Sequence, residues 1–520
     1  MNILIDDRSF FRRTQMNRSL LSSALGVAGL TALLVACGGA DGAAGAPGKD
    51  GAQGAAGAAG KPGDSAKVEP TVSFVTPSKA VLDREIDVVV SGSGTTFTGA
   101  AKVDFGAGIT VSNVRVVSPT SLAMKVKIAP TAALGLRDVM VDGQKLEKAF
   151  AVQPAISVLP VGKVEQGGVA QVAIQNNDLA NPFDKDNFKV DAPELVDFGV
   201  SAESNLFAGG AVLVPPLAAA SAALTVANVD SKGASRTTFI GDPNDLKVTP
   251  RAPGAITANA AAAPLALGAD LASFFGKLTV PMGSAYIVDY RMEVPLPAAG
   301  AAATTPLAAL FGKGGKAKDL LDTAAPPQGF FGPEDPPYDI HLVYPMVSST
   351  AAEEQYLVMV NTAGRAGSTT FSTGLIKASQ VAEDAAAHNT AATAQTLTAL
   401  EPMPVNLAND VGGKVLTGAL AAATEVDIYK LTVVANDTIQ VAIAGEGEYD
   451  VVTSRNGTLD PEAAATLGYA YSSTKGRGGN ATFSVKNNTT IYIAVTPYQG
   501  RFGKYTMSVR KVPALPPPPP

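Results

Sequence analysis

The sequence has few of the side chains that build catalytic and metal centres. Its 520 residues include one cysteine, no tryptophan and only two histidines, His341 and His388. A single cysteine excludes an intramolecular disulfide and a thiolate zinc site. Neither histidine has a second histidine, a cysteine or an acid at metal-ligand spacing. We therefore interpret His341 as a strand residue and His388 as a residue near the C-terminus of a helix.

Charged and aromatic side chains are also scarce. Charged residues make up 17% of the chain and aromatic residues 6%, and the net charge is −6. This balance excludes the basic surface that binding to nucleic acid requires, and it offers no obvious platform for stacking sugars. No Gly-x-Ser-x-Gly stands at a predicted strand–helix turn, and no phosphate-binding loop is present. We therefore expect neither a nucleic acid partner nor enzyme activity.

The first residues resemble an export signal that ends at the only cysteine. An apolar stretch at residues 20–36 follows four arginines, Arg8, Arg12, Arg13 and Arg18. It ends in Leu34-Val35-Ala36-Cys37, which resembles the bacterial lipobox. The resemblance implies that residues 1–36 are a lipoprotein signal peptide and that Cys37 carries a lipid anchor in the bacterial cell envelope. Gly38 rather than aspartate follows, so we expect the outer membrane or the cell surface. The alternative is an ordinary secretory signal, and a start at Met1 or at Met16 stays open.

A glycine repeat follows the cysteine. Every third residue from Gly39 to Gly63 is glycine, the period that a collagen triple helix needs at its crowded axis. Residues 37–66 are therefore similar to the tethers of bacterial collagen-like proteins. A triple helix here would make the protein a homotrimer, but the segment has only two prolines. We favour the alternative, a flexible spacer that holds the rest of the chain away from the membrane.

The rest of the chain alternates apolar and polar residues as strands do. At residues 70–152, alternating runs are separated by turn signals every 8–12 residues, which is typical of a β-sandwich. The run Gly92-Ser93-Gly94-Thr95-Thr96-Phe97-Thr98 and the run Gly135-Leu136-Arg137-Asp138-Val139 resemble an IPT/TIG immunoglobulin-like domain. Such domains are spacers or binding modules. The sequence thus predicts an all-β fold of tandem sandwiches, immunoglobulin-like first and jelly-roll-like later.

Two further β regions follow. Residues 155–250 predict a second immunoglobulin-like module, in which the polar loop with Asp178, Asp184 and Asp186 is interpreted as solvated rather than as a calcium loop. Residues 251–264 are rich in alanine and proline and predict a linker. Residues 265–380 predict a β-sandwich interrupted by a long loop at 295–337, with a short helix near Lys316 to Asp322.

The last module, residues 385–512, resembles the bacterial pre-peptidase C-terminal (PPC) domain, a small jelly roll. The likeness rests on Glu425-Val426-Asp427-Ile428-Tyr429-Lys430-Leu431 and on Gly503-Lys504-Tyr505-Thr506. Residues 265–380 are interpreted as a diverged PPC-like copy. A polyproline tail occupies residues 513–520.

The PPC resemblance makes Glu425, Asp427 and Asp450 candidate calcium ligands. Glu425 and Asp427 lie two residues apart and share one face of a strand, and carboxylate oxygens suit calcium. The alternative, which we favour, is a plain cluster of surface acids. No other cofactor is expected.

These observations favour a surface-displayed, lipid-anchored protein that binds an extracellular protein or glycan and has no catalytic activity. One alternative is a structural or accessory envelope lipoprotein. The other is a secreted hydrolase with accessory domains, because PPC domains accompany proteases.

Overall fold

The strands form β-sandwiches that follow one another along the chain, which confirms the predicted all-β class. The computed structural model describes residues 69–191, 194–197, 200–222, 224–229, 235–242, 244–268, 273–294, 306–324, 338–347, 350–361, 367–384, 387–407, 409–472 and 479–513. The predicted signal peptide, Cys37, the glycine repeat and the predicted tail from residue 514 lie outside the described residues, so what the sequence indicates about them stays a prediction. Within the described ranges, no helix is long and apolar enough to cross a bilayer.

The first module, residues 69–153, packs two four-stranded sheets face to face. Val88 and Val90 are fully buried because alternate residues of a strand point to the same face. Between the sheets the rings of Phe105 and Phe150 meet edge to face at 4.9 Å. The strands are β1 (Thr71–Thr76), β2 (Lys79–Val81), β3 (Glu85–Ser93), β4 (Val103–Asp104), β5 (Ile109–Ser118), β6 (Ser121–Ile128), β7 (Gly135–Val141) and β8 (Gln144–Gln153). One sheet has the order β1-β3-β6-β5; the other is β2-β8-β7-β4, with β2 parallel to β8.

The second module, residues 156–250, is built from shorter strands around an aromatic centre. Phe183 meets the rings of Phe188 and Phe239 at 5.0 and 5.1 Å. Its strands are β9 (Ile156–Val161), β10 (Val169–Asn176), β11 (Phe188–Asp191), β12 (Val196–Asp197), β13 (Ser201–Ala202), β14 (Phe207–Leu213), β15 (Ser221–Ala222), β16 (Thr225–Val229), β17 (Ser235–Ile240) and β18 (Leu246–Lys247). They form the sheets β12-β14-β10-β9, with β13 on β14, and β11-β16-β17, and the pair β15-β18.

The third module, residues 254–382, again packs two sheets. Its strands are β19 (Gly254–Ala255), β20 (Ala263–Leu267), β21 (Ser273–Val280), β22 (Ala285–Val294), β23 (Pro306–Phe311), β24 (Leu320–Ala324), β25 (Tyr338–Val347), β26 (Glu353–Asn361) and β27 (Gly367–Ala382), with a 3-10 helix at Ala317–Asp319. One sheet has the order β19-β21-β26-β23-β24, and the other begins β25-β22-β27 with β20 on β27. In the core, the Tyr290 hydroxyl donates to Gln355 Oε1 at 3.0 Å.

Two sequence predictions about this module were wrong. The predicted linker 251–264 contains β19 and the start of β20. These strands pair at sheet edges, where alanine and proline are tolerated because one side needs no ladder hydrogen bond. The predicted loop 295–337 contains β23, which lies between β24 and β26 and buries Leu310 and Phe311 completely. The short predicted helix is a single 3-10 turn.

The fourth module, residues 383–513, is a sandwich that shares one sheet with the third. Its strands are β28 (Gln395–Thr396), β29 (Val411–Ala419), β30 (Asp427–Val433), β31 (Thr438–Gly445), β32 (Tyr449–Ser454), β33 (Thr466–Ser472), β34 (Gly479–Ser484), β35 (Thr489–Pro497) and β36 (Lys504–Val512). One sheet is β28-β30-β35-β32-β33, and the other continues the third module as β25-β22-β27-β29-β36-β31-β34. Tyr429, Leu431 and Val433 point into the core between them.

The first junction, between the first and second modules, is short and polar on one side. Pro154 and Ala155 alone separate β8 from β9, and Ala155 and Val81 are buried in the core of the second module. Arg84 donates to the carboxylate of Asp178, whose side chain is 5% exposed. The sequence interpretation of Asp178 as solvated was therefore wrong, because an arginine from the preceding module pairs with it.

The second junction has an apolar core of its own. Val169, Val196 and Leu213 of the second module pack with a group on the third module that includes Phe275 and Phe311. Gly167 lies against this contact with a φ of +64°, and a Cβ placed there would stand 2.4 Å from the Phe275 ring. Only glycine fits this close approach without displacing the ring.

The third junction is a continuous sheet. β27 runs parallel to β29, so the ladder crosses from the third module to the fourth without a break. An apolar cluster with Ile287, Val343 and Val415 spans the junction. Beside it, Asp289 on β22 accepts a hydrogen bond from the Arg510 guanidinium on β36, and its other carboxylate oxygen lies 3.3 Å from Nδ1 of His341.

Candidate functional site

Glu383, His388 and Asp427 come together where the third module passes into the fourth. Glu383 follows the last residue of β27, His388 lies on the connection, and Asp427 is the first residue of β30. The His388 carbonyl accepts a hydrogen bond of 2.7 Å from the Ile428 amide, which fixes the connection against β30. His388 is 4% exposed and Asp427 is 3% exposed.

Three side-chain atoms of this cluster converge. Nε2 of His388 lies 3.4 Å from Oε1 of Glu383 and 3.4 Å from Oδ1 of Asp427. One nitrogen and two carboxylate oxygens thus lie within 4.8 Å of one another, the spacing of donors around a metal ion.

The remaining polar atom of each side chain faces a partner outside the cluster. Oε2 of Glu383 accepts from the Ala419 amide at 3.0 Å. Oδ2 of Asp427 accepts from the Tyr505 hydroxyl at 2.7 Å. Nδ1 of His388 lies 3.5 Å from Oδ1 of Asp384. These contacts orient the three side chains so that Oε1, Oδ1 and Nε2 face the centre.

The two buried carboxyl groups of the cluster favour a bound cation. Burial raises the pKa of Glu383, and the neighbouring Asp427 carboxylate raises it further. Burial likewise raises the pKa of Asp427, and Glu425 adds to the effect. In both groups burial, which opposes the charged form of a carboxyl group, is the main cause of the raised pKa. Burial also raises the pKa of Tyr505 well above its usual range, so this hydroxyl stays a neutral donor.

The three predicted calcium ligands are not all brought together. Asp427 lies in the cluster, and Glu425 is close enough to raise its pKa, although the Glu425 carboxylate accepts a hydrogen bond from the Ala421 amide. Asp450 lies on the other face of the sheet, because its neighbour Val451 is in register with Asp427 across β35. Its carboxylate accepts from the Tyr469 hydroxyl. Asp450 is therefore not a ligand of the same ion.

The interpretation of His388 was also wrong. Residues 387–389 belong to no helix, and His388 is a buried member of an acidic cluster rather than a helix-end residue. Glu383 and Asp384 precede His388 by five and four residues, a spacing along the chain that could have indicated the cluster. Asp427 arrives from a distant strand, which spacing along the chain does not reveal. His341 lies in β25 as predicted.

A second candidate site, the tyrosine face, consists of Tyr469, Tyr471 and Tyr498 on the outer side of the same sheet. Tyr469 and Tyr471 alternate on β33 with Ala470, which is buried in the core, so both point outward. Their rings are parallel to within 4° at 6.5 Å, and Tyr498 meets Tyr471 edge-on at 5.1 Å. All three are partly exposed. The fold therefore assembles an aromatic surface that the low aromatic content did not predict.

The comparisons with known proteins concern parts of this architecture. Residues 69–153 match the family model described as quinohemoprotein amine dehydrogenase, alpha subunit domain III. This match covers the first module alone, and the IPT/TIG resemblance of the same segment stays a prediction. A search of curated proteins found no match.

Three solved structures are similar to stretches of the chain. The pre-peptidase C-terminal domain of a Bacillus anthracis collagenase is 21% identical and covers 22% of this chain and 94% of its own, with a TM-score of 0.16. The Escherichia coli adhesin FdeC is 12% identical and covers 58% and 96%, with a TM-score of 0.15. A Bacteroides ovatus protein of a mixed-linkage glucan utilization locus, SGBP-B, solved with a mixed-linkage heptasaccharide, is 11% identical and covers 85% and 100%, with a TM-score of 0.15. At these TM-scores the alignments carry no argument about function.

Proposed function

We propose that the chain is a surface-displayed binding protein that is held by a lipid on Cys37 and contacts an extracellular glycan or protein through the tyrosine face. The observation that carries this proposal is the grouping of Tyr469, Tyr471 and Tyr498 on an outward sheet face. The protein as a whole has few aromatic residues, and the face gathers three tyrosines at one place.

Aromatic side chains suit such contacts for two reasons. A tyrosine ring presents a large rigid apolar area at low cost in conformational entropy, and its hydroxyl supplies a hydrogen bond at the edge. On this face the Tyr469 hydroxyl already donates to Asp450, which holds the ring in place before a ligand arrives. A preorganised surface loses less entropy on binding.

The order of the modules along the chain suits the presentation of the tyrosine face away from the membrane. The tether and signal predicted at residues 1–66 precede the first module, and the tyrosine face lies in the last one. Buried contacts join the second module to the third and the third to the fourth. These contacts keep the tyrosine face in a fixed relation to the modules that carry it. We further propose that the chain has no catalytic activity of its own.

Binding to glycan arrays and to a panel of extracellular matrix proteins tests this role. We expect the purified chain to bind at least one member of either set, and we expect Tyr469→Ala and Tyr471→Ala to weaken that binding about tenfold or more each, the loss typical of a central aromatic contact. Phe207→Ala is the matched control, because Phe207 is an aromatic side chain of the second module that is 46% exposed. Equal binding by all three variants would refute the role of the tyrosine face.

Replacement of the cysteine tests the anchor. In a bacterial host, Cys37→Ser should block lipidation and release the chain from the membrane fraction, because the acyl chains supply the membrane affinity. Surface exposure is then read by protease treatment of intact cells. Unchanged membrane partitioning of Cys37→Ser would contradict the lipid anchor and leave the proposal about the tyrosine face standing.

A further inference from the structure

We propose that Glu383, His388 and Asp427 bind one divalent transition metal ion of the zinc class, and that this ion closes the junction between the third and fourth modules. The cluster lies on the opposite side of the sheet from the tyrosine face, so metal binding does not depend on ligand binding at that face.

The donor spacing fits such an ion. In a tetrahedral site with bonds of about 2.0–2.2 Å, neighbouring donor atoms stand roughly 3.3–3.6 Å apart. Nε2 of His388 lies 3.4 Å from a carboxylate oxygen of Glu383 and 3.4 Å from one of Asp427. The histidine is therefore placed as a ligand shared between two carboxylates, and only small side-chain movements are needed to bring all three donors onto one ion.

The donor chemistry separates zinc from calcium. Calcium takes six to eight oxygen ligands, whereas imidazole nitrogen suits zinc and its neighbours in the transition series. His388 is 4% exposed and stands at the centre of the cluster. A calcium ion between Glu383 and Asp427 would have this nitrogen within its coordination distance. His388, which the sequence placed near the end of a helix, thus favours a metal of the zinc class over calcium.

The surroundings of the three ligands match those of metal centres. A ligating histidine usually has its other ring nitrogen against a carboxylate or carbonyl, and ligating carboxylates are themselves hydrogen-bonded. Here Asp384 faces Nδ1 of His388, the Ala419 amide donates to Glu383, and the Tyr505 hydroxyl donates to Asp427. Each ligand is therefore held by a contact at its other polar atom, as the ligands of a metal centre are.

The position of the site gives the ion a structural effect. Glu383 directly follows the strand β27, His388 belongs to the connection, and Asp427 opens β30 in the opposite sheet of the fourth module. One ion bound to all three would fix Glu383, which directly follows the last strand of the third module, to the connection and to β30 of the fourth. The Glu383 side chain is 26% exposed, which leaves a side from which water completes the coordination.

Metal titration of the full chain, purified without a polyhistidine tag and treated with a chelator, tests the proposal. We expect zinc to bind with one ion per chain, and cobalt(II) to bind with the intense visible absorption of a four-coordinate site. His388→Asn keeps an oxygen donor that suits calcium and removes the nitrogen, so zinc binding should fall by more than about 100-fold. Asp384→Asn, which alters only the orientation of His388, should weaken it about 10–100-fold.

His341→Asn is the matched control, since it removes the only other histidine and should leave zinc binding unchanged. Should His388→Asn fail to fold by circular dichroism, Glu383→Gln serves instead, because that side chain is partly exposed. Zinc binding that survives in His388→Asn and Glu383→Gln would overturn the proposal. Binding of calcium with no binding of zinc or cobalt would overturn it too.

Discussion

Between the first and second modules the chain crosses in two residues, Pro154 and Ala155, whereas between the third and fourth modules it crosses through β27, a strand of the shared sheet. The first junction adds one ion pair and two buried side chains. The third adds a backbone ladder, an apolar cluster and a buried polar network. A short connection with few contacts permits local opening, and a continuous ladder resists it. We therefore expect the first module to move more independently of its neighbour than the third and fourth modules do.

We expect the largest loss of unfolding free energy from a change at the third junction. Asp289→Ala leaves the Arg510 guanidinium, 7% exposed, without its carboxylate, although Gln440 still accepts from Nε at 2.7 Å. Removing one partner of a buried ion pair costs about 3–5 kcal/mol of unfolding free energy. Urea denaturation followed by circular dichroism measures the loss. Asp289→Ala combined with Arg510→Met should lose less, and a loss below about 1 kcal/mol in the single variant would contradict the importance of the pair.

The same pair predicts a pH dependence. Burial of Asp289 opposes its charge, but Arg510 and His341 outweigh burial and hold the pKa of Asp289 well below its usual value of 3.8. A carboxyl group with a lowered pKa stabilises the fold above its unfolded pKa and loses that contribution as the pH falls through the folded pKa. The difference in stability between the native chain and Asp289→Asn should therefore shrink as the pH falls below about 4. A difference that grew in acid would reverse the assignment.

A smaller effect is expected at the second junction. Gly167→Ala places a Cβ against the Phe275 ring at a positive φ, so the ring must move and the backbone is strained. Overpacking of this kind costs about 1–3 kcal/mol. Gly162→Ala is the matched control: its φ is +88° and a Cβ there meets nothing within 4 Å. Thermal unfolding of both variants isolates the contact, and equal losses would show that backbone strain alone is responsible.

The smallest effect is expected at the first junction. Arg84→Ala removes the ion pair with Asp178, but Asn181 still donates to the same carboxylate at 2.8 Å. We expect a loss of about 1.5 kcal/mol, the lower end for a hydrogen bond to a charged group, because the Arg84 side chain is partly exposed. Limited proteolysis should show faster cleavage near Pro154 and Ala155. Unchanged cleavage in Arg84→Ala would mean that Val81 and Ala155 alone hold the junction.

The all-β fold was predictable because strand alternation is a local property. Tyr429, Leu431 and Val433 alternate with polar neighbours in the sequence, and all three are buried in the structure. The joining of sheets was not predictable in this way. β27 carries no local mark that it pairs with β29 of the next module, since register between strands depends on contacts far apart along the chain.

The candidate sites show the same difference between local features, which the sequence reveals, and long-range contacts, which it does not. Asp427 was singled out from its spacing to Glu425, but its partners Glu383 and His388 meet it only because the connection folds back over β30. The alternation of Tyr469 and Tyr471 is visible in the sequence, whereas the approach of Tyr498 depends on how β35 ends. Two signals were available in the sequence. One is the pair of acidic residues shortly before a histidine, and the other is a Tyr-x-Tyr pattern in a strand.

Strand β27, which joins the sheets of two sandwiches, also limits how the gene for this chain can be rearranged. A recombination point between residues 382 and 411 would leave β27 or β29 with an open ladder of amides and carbonyls, and such an edge invites pairing with other chains. We therefore expect an exchange of the third or the fourth module alone to destabilise the product, and an exchange of the first module at Pro154 to be better tolerated.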